Sequence, residues 1–332
     1  RTRVRQPKRG FRGSSRFSRL QRFLDGLAPF RSFVANRARK SVLQKTRGHY
    51  PAPLKVIESL RAQVDSGTDR GFDVEADSIA ELSVSPVTHE LIRLLFLSEA
   101  AKKPSEDLTV EPDADAVTEA AVLGAGGMGA GFAVLLARKN VWTRIKDINA
   151  KMVSAGLNTI HELVNKDVAR KKITPLQRTR IYDHLRPITD YSGLKRTDIV
   201  IEAIIEELDI KRSVFRELAE ATGPDTVLAT NTSSLTVSDI AQGMTNPERI
   251  VGLHFFNPPH QMPLVEIIRT PQTSDAALAV AFATVQKLGK TGVVVGDCAG
   301  FLVNRLLGPY MNEAGFLLEE VTDPLEIDKA LI

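Results

Sequence analysis

Eight short apolar runs separated by helix-length stretches govern the sequence from Ala120 onward: AAVLG, VWTRIKD, HLRPIT, DIVIEAI, TVLATN, RIVGLHF, LVEIIR and TGVVVG. Runs this short, bounded by turn residues, read as strands. Strands alternating with helices imply a doubly wound α/β sheet, mostly parallel, because each crossover lays a helix on one face of the sheet. One unit breaks the rhythm. Asn149 to about His184 is too long for a single crossover helix, and Ile173-Thr174-Pro175 interrupts it. An αα hairpin projecting from the sheet is expected there, with Arg170, Lys171 and Lys172 making its tip basic.

Upstream, from Pro51 to about Lys103, Leu54, Ile57, Leu60 and Val64 recur at helical spacing, as do Val87, Leu91, Leu94 and Leu95. The stretch KKPSEDLTVEPDADAVTEA is polar, acidic and without periodicity. It reads as a linker, placed at 104–116 between a helical region, 1–103, and a sheet domain, 117–299. With 43% hydrophobic residues in 332, each folded part has material for its own core. No apolar run approaches the ~20 residues that cross a bilayer, and the opening RTRVRQPKRG lacks the apolar segment of a secretory signal. Cys298 is the only cysteine, which excludes an internal disulfide and fits a cytoplasmic location. The chain begins with Arg and breaks off within the helical pattern DPLEIDKALI, so a fragment cut at both ends is expected.

The net charge of +4 conceals an asymmetry. Residues 1–50 carry fifteen Lys or Arg against the single acid Asp25, a net +14, leaving −10 on residues 51–332. Phe11, Phe17, Phe23, Phe30 and Phe33 interleave with the cations. Such a block could bind an acidic membrane surface or a phosphorylated ligand such as coenzyme A, but charge runs mostly report solvation, and a solvated, partly disordered amphipathic segment is the expected reading. No recognition motif for nucleic acid accompanies it, so no nucleic-acid partner is expected.

Gly124, Gly126 and Gly129 form a G-A-G-G-M-G turn between the strand AAVLG and the apolar helix that opens near Gly127. Glycines so spaced allow a tight turn, close approach of backbone to a pyrophosphate and close packing of helix on strand. The unpaired N–H groups and dipole of the helix start favour the phosphates. Eighteen residues past Gly129, Asp147 ends the next strand, where a carboxylate accepts from both adenosine ribose hydroxyls. The pair points to a Rossmann-like dinucleotide site, and the negative charge of Asp147 favours NAD over NADP, with Arg144 and Lys146 nearby as a counterweight.

His254 closes RIVGLHFF, and Glu266 stands twelve residues later in PLVEII. If the chain doubles back through NPPHQMP, the two side chains meet across antiparallel neighbours, and a carboxylate orients an imidazole base. On residues alone, a satisfied strand-end histidine is the competing reading. Ser233 competes with a helix-cap role in SSLTVSDI, and Asn304 with a plain polar position on a helix. Glu206 and Lys211 compete with a surface acid and a helix-face base. His49, His89, His161, His184 and His260 have no metal-ligand spacing, so no metal site is expected.

Taken in order, GAGGMG, Asp147, IEAIIEELDIK, NTSSL, GLHFFNPPHQMPLVEII, TGVVVGDCAGFLVNR and the trailing IDKA resemble the L-3-hydroxyacyl-CoA dehydrogenase family. QKTRGHYPAPLKVIESL resembles the end of the enoyl-CoA hydratase region in the multifunctional fatty-acid oxidation α subunit. The resemblance implies that His254 is the catalytic base and Glu266 its orienting partner, with Ser233 and Asn304 on the substrate's C3 oxygen and thioester region. It sets Asn257 at the edge of the nicotinamide and substrate sites. Met128, Asp147, Ile204, Ile205, Glu206, Lys211, Asn231 and Ser233 line the cofactor by the same carry-over, and Lys171 and Lys172 match a coenzyme A contact loosely. It further implies an acyl-CoA substrate, a role in β-oxidation, a thiolase partner and, at 300–332, the start of a helical C-terminal domain. The hydratase glutamates fall outside the chain, and with half the substrate cleft missing little turnover is expected. A basic scaffold around a structural NAD fold, and a dehydrogenase for another hydroxy acid, are the alternatives.

Overall fold

The computed structural model describes residues 28–104, 108–320 and 323–330. Most of the basic block, including Phe11, Phe17 and Phe23, lies outside the described residues. The chain divides into two compact units, one up to Leu97 and one from Ser98.

The first unit holds α1 (Ala28–Thr46), α2 (Ala52–Ser66), α3 (Thr68–Ser83) and most of α4 (Pro86–Ala100). The helices form where the apolar spacing predicts them. Among the described residues of this unit, however, no apolar side chain is fully buried, and Val56, Leu60, Val64, Phe72 and Ile79 are each more than half exposed. Its helices are held by ion pairs such as Lys55–Glu81 at 2.6 Å and Arg31–Asp65 at 3.2 Å. Exposed pairs of this kind contribute ~0–1 kcal/mol each.

The second unit is built on eight strands. These are β1 (Glu119–Leu123), β2 (Trp142–Lys146), β3 (Leu185–Ile188), β4 (Ile199–Glu202), β5 (Val227–Thr230), β6 (Ile250–Phe255), β7 (Leu264–Arg269) and β8 (Thr291–Gly296). All eight expected strands are present, in the order β3-β2-β1-β4-β5-β6-β7-β8. Every neighbouring pair is parallel except β6 and β7. The exception follows from the connection: the proline-rich segment 256–263 is too short to carry a crossover helix, so the chain reverses and pairs with itself. Chain direction diverges at the boundary of β1 and β4, which leaves a crevice outside their carboxyl ends.

Helices cover both faces. On one, α5 (Gly127–Arg138), α6 (Ala150–Ala169) and α10 (Asp275–Lys287) bury Phe132, Leu136, Ile160 and Phe282. On the other, α8 (Leu208–Ala221) and α9 (Val237–Ala241) bury Phe215, Leu218 and Ile240. The αα hairpin is α6 followed by α7 (Pro175–Asp183), with the break at Thr174. Thr174 and Gln177 form a reciprocal capping box, and Pro175 occupies the first turn, where its missing N–H costs nothing. Lys171 and Lys172 are exposed at the tip. After β8 come α11 (Val303–Glu320) and α12 (Pro324–Ala330); Leu306, Tyr310, Met311 and Phe316 stand exposed on α11.

The described part of the linker differs from a free tether. Lys287 Nζ donates to Ala114 O at 2.9 Å, Gln286 Nε2 donates to Lys102 O at 3.2 Å, and Thr109 bonds the Asp275 side chain. Leu108 packs on the core and Val117 is buried in it. Two apolar side chains in a polar stretch are enough to dock it along α10.

The hairpin break rests on its cap. Thr174→Ala is expected to cost ~1 kcal/mol locally, seen as faster amide hydrogen exchange in α7 with exchange in the sheet unchanged.

Candidate active site at the carboxyl ends of β1, β4 and β6

The glycine turn is fixed by contact. Gly124 has φ +93, and a Cβ there would stand 2.4 Å from Ala203 O; one on Gly129 would stand 1.8 Å from Gly124 O. Side chains are therefore excluded at both positions, on conformational as well as steric grounds at Gly124. At Gly126 and Gly127 an added Cβ meets nothing within 4 Å. The turn is tight below and open above, the shape that admits a pyrophosphate at the start of α5.

Asp147 follows β2. Its Oδ2 accepts from Ala125 N and its Oδ1 from Ile148 N, both at 2.7 Å, so the carboxylate is locked beside the glycine turn. The two neighbouring cations are engaged elsewhere. Arg144 Nη1 donates to Glu119 Oε2 at 2.7 Å, and Lys146 Nζ sits 4.3 Å from the centre of the Tyr191 ring. Tyr191 is itself fixed by donating to Glu217 at 2.6 Å. Neither cation is paired with Asp147, which keeps the strand end negative and suited to a ribose diol over a 2′-phosphate.

Beneath the crevice lies a buried charge network. Glu202, the last residue of β4, and Lys211, in the first turns of α8, are both fully buried, with Lys211 Nζ donating to Glu202 Oε1 at 2.7 Å. Such a pair is tolerable only if its remaining polar capacity is filled. Ile204 N donates to Glu202 Oε1 at 2.8 Å, Thr230 Oγ1 to Glu202 Oε2 at 2.7 Å, and Lys211 Nζ lies 3.2 Å from Glu206 Oε2. Glu206 Oε1 then collects Thr232 Oγ1 at 2.5 Å, Ser233 N at 3.0 Å, and Ser234 N and Oγ at 3.2 and 3.0 Å. Burial pushes the Glu206 carboxyl up, but the donors from Thr232, Ser233 and Ser234, with Lys211, outweigh it and hold the value at about 2. Lys211 is thus not a solvated helix-face base, and Glu206, although exposed, is an acid tied into the network beneath it. Ile205 is exposed beside them, and Asn231 Oδ1 accepts from Phe255 N at 2.9 Å, which ties the end of β5 to the end of β6.

His254 and Glu266 are directly paired residues of the antiparallel β6–β7 ladder. His254 Nδ1 donates to Glu266 Oε2 at 2.6 Å, and among the described residues Nε2 has no hydrogen-bond partner. The second oxygen of Glu266, Oε1, accepts from the amides of both Leu302 and Val303 at 2.9 Å, at the start of α11. Phe301 precedes them with φ +47, uncommon for a bulky residue; its buried ring lies 5.5 Å from the imidazole. The Phe256 ring also lies against the imidazole, at 4.7 Å. The imidazole is therefore walled by two rings, held at one nitrogen and open at the other. Asn304, one residue into α11, donates from Nδ2 to Ser233 O at 3.4 Å. Ser233, Asn304 and His254 thus belong to one connected set, whereas Asn257 is exposed beyond β6, and Lys171 and Lys172 lie at the hairpin tip.

Three features of this set escape the sequence. Glu202 carries a signal, an acid inside the apolar run DIVIEAI, but its partners come from three different elements. Asp297 gives none: its Oδ1 and Oδ2 accept from Val237 N at 2.9 Å and Ser238 N at 2.7 Å, binding the end of β8 to the start of α9. The cap of that helix is Thr236, whose side chain accepts from Asp239 N, so Ser233 is not its cap.

A doubly wound sheet with a glycine turn and a strand-end aspartate defines a dinucleotide-binding domain, and a histidine–carboxylate pair lies at the end of its sixth strand. The description "3-hydroxyacyl-CoA dehydrogenase, NAD binding domain" matches residues 119–298, and the C-terminal domain of the same family matches residues 300–332. The chain belongs to the 3-hydroxyacyl-CoA dehydrogenase family and carries its NAD-binding domain. It is 39% identical over 316 residues to the fatty acid oxidation complex subunit alpha of Shewanella oneidensis, covering 95% of this chain and 44% of that protein. The crystal structure of 3-hydroxybutyryl-CoA dehydrogenase from Escherichia coli K12 is similar at a TM-score of 0.60 and 39% identity, over 61% of this chain and 43% of that one. That of (S)-3-hydroxybutyryl-CoA dehydrogenase PaaH1 from Ralstonia eutropha gives 0.60 and 35%, over 61% and 72%. The chain spans less than half the length of the alpha subunits it matches.

Two outcomes follow from these contacts. Gly129→Ala is expected to abolish NADH binding in calorimetric titration, because the methyl group has no room before Gly124 O. Glu206 has a folded value of about 2, below the ordinary ~4.3. Its contribution to stability is therefore complete above the ordinary value and lost as pH falls towards about 2. Denaturant unfolding is expected to show a gap between wild type and Glu206→Gln at pH ~7 that narrows at pH ~3.5.

Proposed function

We propose that this site catalyses the NAD-linked oxidation of L-3-hydroxyacyl-CoA to 3-oxoacyl-CoA, as the dehydrogenase part of a multifunctional β-oxidation α subunit. The observation that carries the reading is the His254–Glu266 pair at 2.6 Å, with Nε2 left open beside a cofactor crevice. A secondary alcohol needs a base for its hydroxyl proton and an acceptor for the C3 hydride; NAD supplies that acceptor when bound.

In this reading His254 Nε2 takes the proton from the C3 hydroxyl. Glu266 holds the Nδ1–H tautomer, which keeps Nε2 an acceptor, and stabilises the imidazolium once it forms. Because Glu266 is fixed from two sides, by His254 and by two α11 amides, the base is preorganised instead of adopting its angle during reaction. Ser233 and Asn304 orient the C3 oxygen and the thioester, with Asn257 at the outer edge of the site. The pyrophosphate rests on Gly124, Gly126 and Gly129, and Asp147 takes the ribose hydroxyls. Met128, Ile204, Ile205, Glu206, Asn231 and Ser233 line the remaining cofactor surface. Lys211, fully buried, acts on the cofactor through Glu206. Lys171 and Lys172 take the coenzyme A phosphates. Acyl-CoA as substrate, a thiolase as partner subunit and a cytoplasmic setting belong to the same reading. Among the described residues no helix is long and apolar enough to cross a membrane.

His254→Ala is expected to lower kcat by ~10²–10⁴-fold, followed as NADH formation from an L-3-hydroxyacyl-CoA, with NADH affinity within about twofold of wild type. Equal turnover in mutant and wild type removes His254 as the base.

A further inference from the structure

We propose that Glu202 is a positioning residue for the cofactor: through Lys211 and Glu206 it sets the segments that line the nicotinamide side of the crevice. It lies one layer below the surface that a ligand touches and has no exposed atom of its own. Its influence comes from what it grips.

Glu202 ends β4, the first strand past the point where the strand order diverges. Its carboxylate takes three donors from three separate elements. Ile204 N, at 2.8 Å, fixes the turn that presents Ile204, Ile205 and Glu206. Thr230 Oγ1, at 2.7 Å, fixes the end of β5 directly before Asn231. Lys211 Nζ, at 2.7 Å, fixes the first turns of α8. Lys211 then passes the constraint on, since the same Nζ lies 3.2 Å from Glu206 Oε2. Glu206 in turn holds Thr232, Ser233 and Ser234 through its other oxygen. One buried carboxylate is therefore connected, by three charge-assisted links, to the backbone of Ser233, whose carbonyl receives Asn304 Nδ2.

A buried ion pair of purely structural value would need only Glu202 and Lys211. Here a second carboxylate is added at the cofactor-facing end, so two acids share one lysine and the ammonium is held between them. Removing the inner charge leaves Lys211 to be drawn towards Glu206, because an unpaired buried ammonium is costly. The Glu206 carboxylate and the amides bonded to it then move with it. Loss of Glu202 is thus transmitted to the crevice through Glu206, and the two residues act as a coupled pair although they share no direct hydrogen bond.

This inference rests on the NAD-binding role of the site and is independent of the acyl-CoA substrate. Its test is a double-mutant cycle read by calorimetric titration with NADH, using the full chain as wild type, Glu202→Gln, Glu206→Gln and the double variant. Glu202→Gln keeps the shape of the side chain and its acceptor for Ile204 N while removing the charge. It is expected to weaken NADH binding about tenfold, with the double variant no weaker than the worse single variant. Fold losses that multiply in the double variant overturn the relay, as does NADH affinity unchanged in Glu202→Gln. If Glu202→Gln does not fold, Thr230→Val replaces it in the same cycle: an isosteric loss of one donor that leaves the ion pair in place. Non-additivity with Glu206→Gln again supports the relay, and additivity overturns it. A wild-type chain that fails to bind NADH defeats the nucleotide reading itself, an outcome distinct from binding that ignores Glu202.

Discussion

Because β7 runs antiparallel to β6, Glu266 lies directly across the ladder from His254, and a 2.6 Å hydrogen bond joins them. The rest of the site is arranged around that bond. In a wholly parallel sheet residues twelve apart would be separated by a crossover helix, and no such pairing could form. The short proline-rich connection forbids the crossover and so creates the pair. The second oxygen of Glu266 extends its reach, since the Leu302 and Val303 amides bind it and thereby fix where α11 begins. A single buried carboxylate serves as strand partner, imidazole anchor and helix-start acceptor.

A second layer of carboxylates works in the same manner nearer the cofactor crevice. Glu202 and Glu206 divide one lysine, and between them bind six backbone or hydroxyl donors from the turn after β4, the end of β5 and the NTSS segment. Buried carboxylates are expensive to desolvate, and each is retained here with its oxygens filled. Asp297 repeats the device between β8 and α9. The loops at the carboxyl ends of the sheet are held by internal acids instead of by a packed apolar cover. That choice suits a crevice which must stay open to a polar ligand, because the order is supplied from below.

The contrast between the two units is one of burial. The sheet unit encloses two extensive apolar clusters, one on each face, whereas the described helices before Leu97 bury no apolar side chain fully. The same incompleteness recurs on α11, whose Leu306, Met311 and Phe316 are all more than half exposed. Helical spacing is correct in all these segments, and amphipathic helices draw most of their stability from the surface their stripe packs on.

The sequence by itself determined the eight strands, the hairpin break at Thr174-Pro175, the glycine turn with Asp147, and the possibility of a His254–Glu266 pair. Each is legible because it depends on local spacing: apolar runs of strand length, a proline after a capping threonine, glycines at fixed offsets, and two short runs joined by a segment that cannot hold a helix. Tertiary structure alone decided the rest. Lys211 became the buried centre of a network that reaches the exposed Glu206, Thr236 took the cap open to Ser233, the linker docked along α10, and Arg144 and Lys146 were drawn away from Asp147 by Glu119 and Tyr191. Those outcomes depend on partners from 5 to 173 positions away, or on which of several adjacent hydroxyls meets a given amide. One-dimensional spacing carries the period of an element, but the partner of a polar group is set by the packing of elements against one another.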